Sequence, residues 1–284
     1  RAGNDCRGRT YGMELHVYDP TTGAVTDAAP SPLSVRATSA TWTGREVLIT
    51  GGWGYTGGGM NRLADAAAYN PTTDTWRLIA DAPEPLAAPS TSFWNGQEMF
   101  VWSLNPKPLG YAYNPGTNRW RKLNSAGVTA RMGETSVWNG SELLVWGGGT
   151  SGDFAVDAND GDPVVGYIEH VVEQGFAYNP TTDSWRLMAP SPIAARWDAG
   201  AAWTGGALMV WGGMDESGPL GTGALYDPAT DTWREIATSP LAGVALPTVV
   251  STGYRALVFG GTEGYGAEST IDGQAAFYDA ASDR

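Results

Sequence analysis

Five segments of the chain share one arrangement of apolar and polar positions: ATWTGREVLITGG, TSFWNGQEMFVWS, TSVWNGSELLVWGG, AAWTGGALMVWGG and VVSTGYRALVFGG. In each, a short half-apolar run meets a turn pair and a second run follows that is apolar almost without alternation, as at Leu208-Met209-Val210-Trp211. The pairs are Thr43-Gly44, Asn95-Gly96, Asn139-Gly140, Thr204-Gly205 and Thr252-Gly253, and Asn-Gly is the strongest short signal for a two-residue type I′ hairpin. Each segment therefore predicts two antiparallel strands, a and b. The unbroken apolarity of strand b predicts cover on both sheet faces.

A third run, strand c, ends in Tyr-Asn-Pro or Tyr-Asp-Pro at Tyr18, Tyr69, Tyr113, Tyr178 and Tyr226, with Tyr278-Asp279-Ala280 as a weaker sixth copy. Proline with Asn or Asp makes a turn, and strand d begins seven residues after the tyrosine at Trp76, Trp120, Trp185 and Trp233, with Val25 in that place in the first copy. Two distances are constant. Nine residues separate Trp42 from Gly51, Trp138 from Gly147 and Trp203 from Gly212, and 18 separate Trp76 from Trp94, Trp120 from Trp138 and Trp185 from Trp203. The connection from the glycine pair to the tyrosine varies, with 18 residues from Gly51 to Tyr69 and 31 from Gly147 to Tyr178. Variation is confined to the loop between strands b and c.

A recurring four-strand unit of this length is the mark of a β-propeller. Paired glycines after an apolar strand, then an aromatic, six residues and a tryptophan resemble the kelch repeat over nearly the whole chain, with Ser103, Val25 and Ser251 as departures. The resemblance implies an all-β kelch-type propeller of the galactose oxidase central-domain kind, a single domain over residues 1–284. Its repeats run approximately over 1–36, 37–89, 90–131, 132–196, 197–244 and 245–284, the first and last being partial. Six c-strand tyrosines predict six blades, incomplete at the termini. Five blades is the alternative, closed by pairing the last a–b hairpin with the first c–d pair.

Composition narrows the function. A formal net charge of −13, with 17 Lys and Arg against 30 Asp and Glu, argues against nucleic acid or an anionic membrane as partner. No 18-residue apolar run is present, so no membrane insertion is expected. The single Cys6 excludes an internal disulfide. Only His16 and His170 join it as soft metal ligands, and no cofactor or transition metal is expected. Galactose oxidase shares the propeller and places copper between two His and two Tyr, one cross-linked to Cys, but Cys6, His16 and His170 stand on elements far apart in the repeat register. The acidic insertion SGDFAVDANDGDPVVGYIEHVVEQ offers Asp157, Asn159 and Asp162 as weak calcium candidates, without the spacing or closing Glu of a calcium loop. Gly52-Trp53-Gly54-Tyr55-Thr56-Gly57 spells G-x-G-x-x-G with no helix after it, and Asn139-Gly140-Ser141 spells a glycosylation sequon on a tight turn.

The variable b–c loops share one end of the repeat with the d-to-a links, which carry Arg36, Arg131 and Arg196. That end is the candidate for function. Two roles fit the arginines. Bonding to backbone carbonyls is one, since an Arg before strand a is itself a habit of kelch repeats. The other is an anion clamp at a channel mouth, with Trp53, Tyr55, Trp197, Asp198 and Met214 completing a ligand site. The resemblance implies a binding module for a protein, peptide or glycan. A metal-independent carbohydrate-active enzyme such as a sugar mutarotase is the alternative, and no G-x-S-x-G nucleophile elbow is present.

Overall fold

A computed structural model of the protein describes residues 3–4, 10–11, 15–56, 59–86, 91–104, 107–151, 168–264, 270 and 273–284. Every regular element among them is a β-strand and every pairing is antiparallel. The chain divides into two compact units at Leu123 and Asn124.

The first unit holds three repeats. Its first sheet is the c–d pair His16–Tyr18 with Val25–Asp27. Next comes a four-stranded sheet, Ala40–Trp42, Val47–Thr50, Ala66–Asn70 and Thr75–Ile79, paired in the order a-b-c-d. A second four-stranded sheet follows with Thr91–Trp94, Met99–Ser103, Leu109–Asn114 and Arg119–Lys122. The second unit repeats the order. Thr135–Trp138, Leu143–Trp146, Phe176–Asn179 and Ser184–Leu187 form one sheet. Gly200–Trp203, Leu208–Trp211, Gly223–Asp227 and Thr232–Glu235 form the next, and Thr248–Ser251, Arg255–Phe259 and Ala275–Asp279 the last. Strands a to d lie where the spacings predict them, and the b–c connections add small hairpins that the spacings did not predict: Trp53–Thr56 with Gly59–Arg62, Gly149–Ser151 with Ile168–Val171 and Met214–Asp215 with Gly218–Pro219. In the last sheet, Arg255–Phe259 pairs with Ala275–Asp279 from Arg255↔Asp279 to Phe259↔Ala275.

Burial follows the pattern of apolar residues. All four residues of Leu208–Trp211 and of Leu143–Trp146 are buried, whereas strand d keeps its charged residues exposed. Within the second unit, Leu144, Trp146, Leu208, Val210 and Tyr226 form one core and Met209, Trp211, Val258 and Tyr278 another, so each strand b feeds the cores on its two sides. The a–b hairpins differ from expectation in turn type. Positive φ is confined to the glycine, at Gly96 (φ 99) and Gly140 (φ 100), as in a type II′ turn. Asn95 and Asn139 sit one position earlier, where each side-chain oxygen accepts two or more backbone N–H groups.

Within each unit, consecutive sheets are joined by one recurring device. An Asp or Asn in the c–d turn, Asp74, Asn118, Asp183, Asp231 or Asp283, takes the left-handed conformation with φ between 49 and 54, which Asp and Asn tolerate better than other side chains. Its Oδ1 accepts the hydroxyl of the strand-c tyrosine at 2.5 to 2.9 Å. The same atom accepts the backbone N–H of the residue that leads out of the preceding strand d: Ala29, Ala80, Asn124, Ala189 or Ala237. The strand-d indole completes the grip. Trp76, Trp120, Trp185 and Trp233 donate Nε1–H to the carbonyls of Ala29, Ala80, Asn124 and Ala189 at 2.7 to 3.0 Å, and each packs on its tyrosine with centroids 5.0 to 5.1 Å apart.

Both bonds of this grip are individually testable in urea denaturation. Trp233→Phe, which keeps the ring and removes the donor, should cost about 1 kcal/mol. Trp233→Ala should cost about 3–5 kcal/mol. Asp231→Ala, which removes the acceptor of the Tyr226 O–H and of the Ala189 N–H, should cost about 1–3 kcal/mol.

Candidate functional site

In the second unit the links between sheets enter strand a through a repeated backbone path. The residue after the Arg position bridges to the residue after the glycine pair, as Met132↔Gly149, Trp197↔Met214 and Ala245↔Thr262, and the first unit has Ala37↔Trp53. Trp197 and Met214 are thus brought together as the register predicts, joined by reciprocal N–H···O bonds of 3.0 and 2.9 Å. The glycine pair is required by this path. Gly148 has φ +84, and a Cβ there would lie 2.7 Å from the Met132 carbonyl and 2.9 Å from the Glu134 nitrogen.

The arginines belong to the scaffold. Arg131 and Arg196 are each 1% exposed. Arg196 donates through Nε to Ala194 O at 2.9 Å, through Nη1 to Gly212 O and Thr222 O at 3.1 and 2.9 Å, and through Nη2 to the Thr222 hydroxyl at 3.1 Å. Arg131 repeats the set on Thr129 O, Gly147 O, Gln174 O and the Thr129 hydroxyl. Arg36 does so on Ser34 O, Gly51 O and Asp65 O, with a forked ion pair to the Asp65 carboxylate at 2.7 and 2.6 Å. Burial draws the Arg131 and Arg196 guanidiniums down to about 10, still charged at neutral pH. Where a repeat lacks the arginine, Leu86 or Val244 takes its place, each 1% exposed, and its carbonyl accepts the same glycine N–H that Arg196 O accepts from Gly148. A position filled by either Arg or a buried aliphatic residue is a core position. The anion-clamp expectation for Arg36, Arg131 and Arg196 gives way to the carbonyl-bonding one, because their donors are already spent on backbone and side-chain acceptors.

Between these anchors and strand a runs a ladder the sequence did not disclose. Gly133, Asp198 and Leu246 hold left-handed φ of 66, 51 and 53 in successive repeats. Asp198 N–H donates to Gly133 O at 2.7 Å, and Leu246 N–H to Asp198 O at 2.9 Å. A non-glycine, 53% exposed Leu in this conformation is a strained residue held by its surroundings. Glycine at 133 is needed for proximity as well, since a Cβ would lie 3.0 Å from the Asp198 carboxylate oxygen. Beside it stands Glu134, which keeps some solvent contact yet is enclosed by protein over most of its surface. Burial raises its carboxyl to about 7, with its own N–H and Arg131 opposing the rise and Asp198 adding to it. Burial also raises Asp198. Asp198 on the ladder and Glu134 beside it, whose carboxyl Asp198 helps to raise, stand next to the Trp197–Met214 bridge and make this the candidate site.

Trp53 lies in the first unit, paired to Arg62 across a hairpin, with the Arg62 guanidinium 5.2 Å from its ring centre. Tyr55 continues that strand, and its side chain lies outside the described residues, as do Cys6 and the calcium candidates Asp157, Asn159 and Asp162. His16 bonds Asp27 on the first c–d pair and His170 stands on Ile168–Val171. Among the described residues no three His, Cys, Asp or Glu side chains converge as metal ligands. Sequence reasoning missed Glu134 because Ser39, Ala199 and Pro247 occupy its place in other repeats, so no repeated spacing marks it.

No family model and no curated protein matches the chain. Among solved structures, that of YjhT matches with a TM-score of 0.64 at 14% identity, covering 90% of this chain and 85% of that one. At this identity the match speaks to the fold, which is all-β and of the propeller type.

The scaffold assignment predicts that Arg131→Ala and Arg196→Ala each lower stability by about 1–3 kcal/mol or more in urea titrations, the range for buried acceptors left unmatched. The raised Glu134 carboxyl predicts a pH dependence of the same quantity. Its proton favours the fold fully below the ordinary carboxyl value of 4.5, and that contribution is lost as pH rises through about 7. Glu134→Gln should therefore gain on the parent protein between pH 5 and 8 by on the order of 1–2 kcal/mol, a span reduced for the solvent the group still meets.

Proposed function

We propose that the protein is a kelch-type β-propeller of six blades that acts as a binding module. Its protein, peptide or glycan ligand sits at the end of the repeats carrying the b–c loops and the d-to-a links. The observation that carries this reading is the pair Glu134 and Asp198 on the left-handed ladder, flanked by Trp197 and Met214. With the arginines spent on the scaffold, this surface offers carboxyl groups and apolar area rather than free cations. The favoured ligand is accordingly basic or rich in hydroxyl groups, and acidic peptides are disfavoured.

The test is a calorimetric comparison of basic peptides, acidic peptides and neutral glycans. A basic ligand should bind about tenfold more tightly at pH 8 than at pH 6, because Glu134 loses its proton across that interval. Glu134→Gln should remove the pH dependence. Acidic peptides that bind best, and bind equally to Glu134→Gln, would sink the proposal.

One observation favours the second reading, a metal-independent carbohydrate-active enzyme. A carboxyl that ionises near neutrality suits general acid–base work on a sugar. The two readings separate by proton NMR of bound glycans, since a binding module releases its ligand chemically unchanged.

A further inference from the structure

The a–b and c–d turns lie at the end of each sheet away from the b–c loops, and there the fifth repeat departs from the second, third and fourth. In the second, third and fourth repeats the residue before strand b is Glu46, Glu98 or Glu142. Its carboxylate takes a forked bond from a strand-d arginine, through Nε and Nη2 at 3.1 and 2.8 Å from Arg77, 3.2 and 2.8 Å from Arg121, and 3.2 and 2.8 Å from Arg186. Each of those arginines stands opposite an alanine on strand c: Ala68, Ala112 or Ala177. In the fifth repeat Ala207 replaces the glutamate and Leu225 stands opposite Arg234. Arg234 keeps Asp283 through Nη1 at 3.2 Å and Ala280 O through Nη2 at 2.8 Å, while its Nε–H has no hydrogen-bond partner among the described residues.

The exchange opens a groove of about 400 Å³ between the fifth and last sheets, walled by Ala207, Leu225, Trp233 and Tyr254, with Asp227 and Arg234 as its charged groups. This lies within the usual range of small-ligand sites, roughly 300–1,000 Å³ with apolar walls and few polar groups. Tyr254 is 60% exposed, and the Arg255 guanidinium lies 5.3 Å from its ring centre. Charge decides the ligand class. Asp227 stands where the second, third and fourth repeats have Asn70, Asn114 and Asn179, so the negative charge removed at Ala207 returns on strand c. An anion would meet Asp227, and a cation would meet Arg234. A neutral polyol satisfies both: its hydroxyls donate to Asp227 and accept from Arg234 Nε–H, and its C–H face rests on the aromatic walls.

We propose that this groove is a second binding site, independent of the ladder site, and that it takes a neutral carbohydrate ring. The probes are methyl glycosides of glucose, galactose and mannose, titrated into the whole protein and followed by tryptophan fluorescence and the Arg234 Nε–H resonance. At least one glycoside should give a saturable shift of both signals. Ala207→Glu should weaken it about tenfold or more by returning a carboxylate to the groove. That variant should keep its melting temperature, because the chain already carries glutamate at three equivalent positions. Asp227→Asn, which installs the residue of the other repeats, should weaken it by about tenfold through loss of a charged acceptor. Failure of every glycoside to produce saturable shifts overturns the proposal. So does a folded Ala207→Glu or Asp227→Asn protein that binds as tightly as the parent.

Discussion

Within each unit, a sheet is fixed to its predecessor by holding a single peptide residue from both sides. The N–H of Ala189 goes to Asp231 and its carbonyl to the Trp233 indole, and the same two bonds recur at Ala29, Ala80 and Asn124. The device works because one turn residue does three things. A left-handed Asp or Asn reverses the chain, receives the strand-c tyrosine and presents its remaining lone pair to the neighbouring sheet. Charge-assisted bonds of this sort are about twice as strong as neutral ones, and the Tyr–Trp contact adds about 0.5–1.5 kcal/mol beyond area burial. The distance from the strand-d tryptophan to the next strand a then has to be constant, because the gripped residue lies between them. The b–c loops take no part in the grip and are free to differ in length.

That dependence explains what was legible in the sequence. Strands, their order and the members of each repeat follow from residues that recur at fixed spacing: the tryptophans, the tyrosines and the glycine pairs. The turn type was misread for a physical reason. Asn95 and Asn139 serve as acceptors one position before the bend, where their side chains close an Asx turn, so Asn-Gly does not mark the two central residues. The candidate site was legible only in part. Trp197 and Met214 were placed together by register, but the acid beside them, Glu134, has no counterpart in other repeats and leaves no periodic trace.

The arginines show how a repeated polar residue invites the wrong functional reading. Three guanidiniums at one register position suggest a clamp until their surroundings are known. A buried cation is tolerated only where its donors are matched, and Arg131 and Arg196 each find four acceptors, three of them backbone carbonyls. Leu86 and Val244 at the same position solve the same packing problem without charge. Recurrence here reports the needs of the scaffold.

The converse holds where repeats disagree. A residue that serves the grip or the glycine path recurs in most copies, so function is free to settle at positions those constraints do not reach. Glu134 occupies such a position, on the strand-a side of the ladder, where its neighbours in register are Ser39, Ala199 and Pro247. Ala207 occupies another, at the far end of strand b, where replacing a glutamate leaves Arg234 with an unused donor and room beside it. At Ala207 the change leaves the hydrogen bonds joining the sheets intact. A repeat scaffold bolted by a few invariant contacts thus tolerates asymmetry at its surface, and that asymmetry is what gives otherwise equivalent sheets different chemistry.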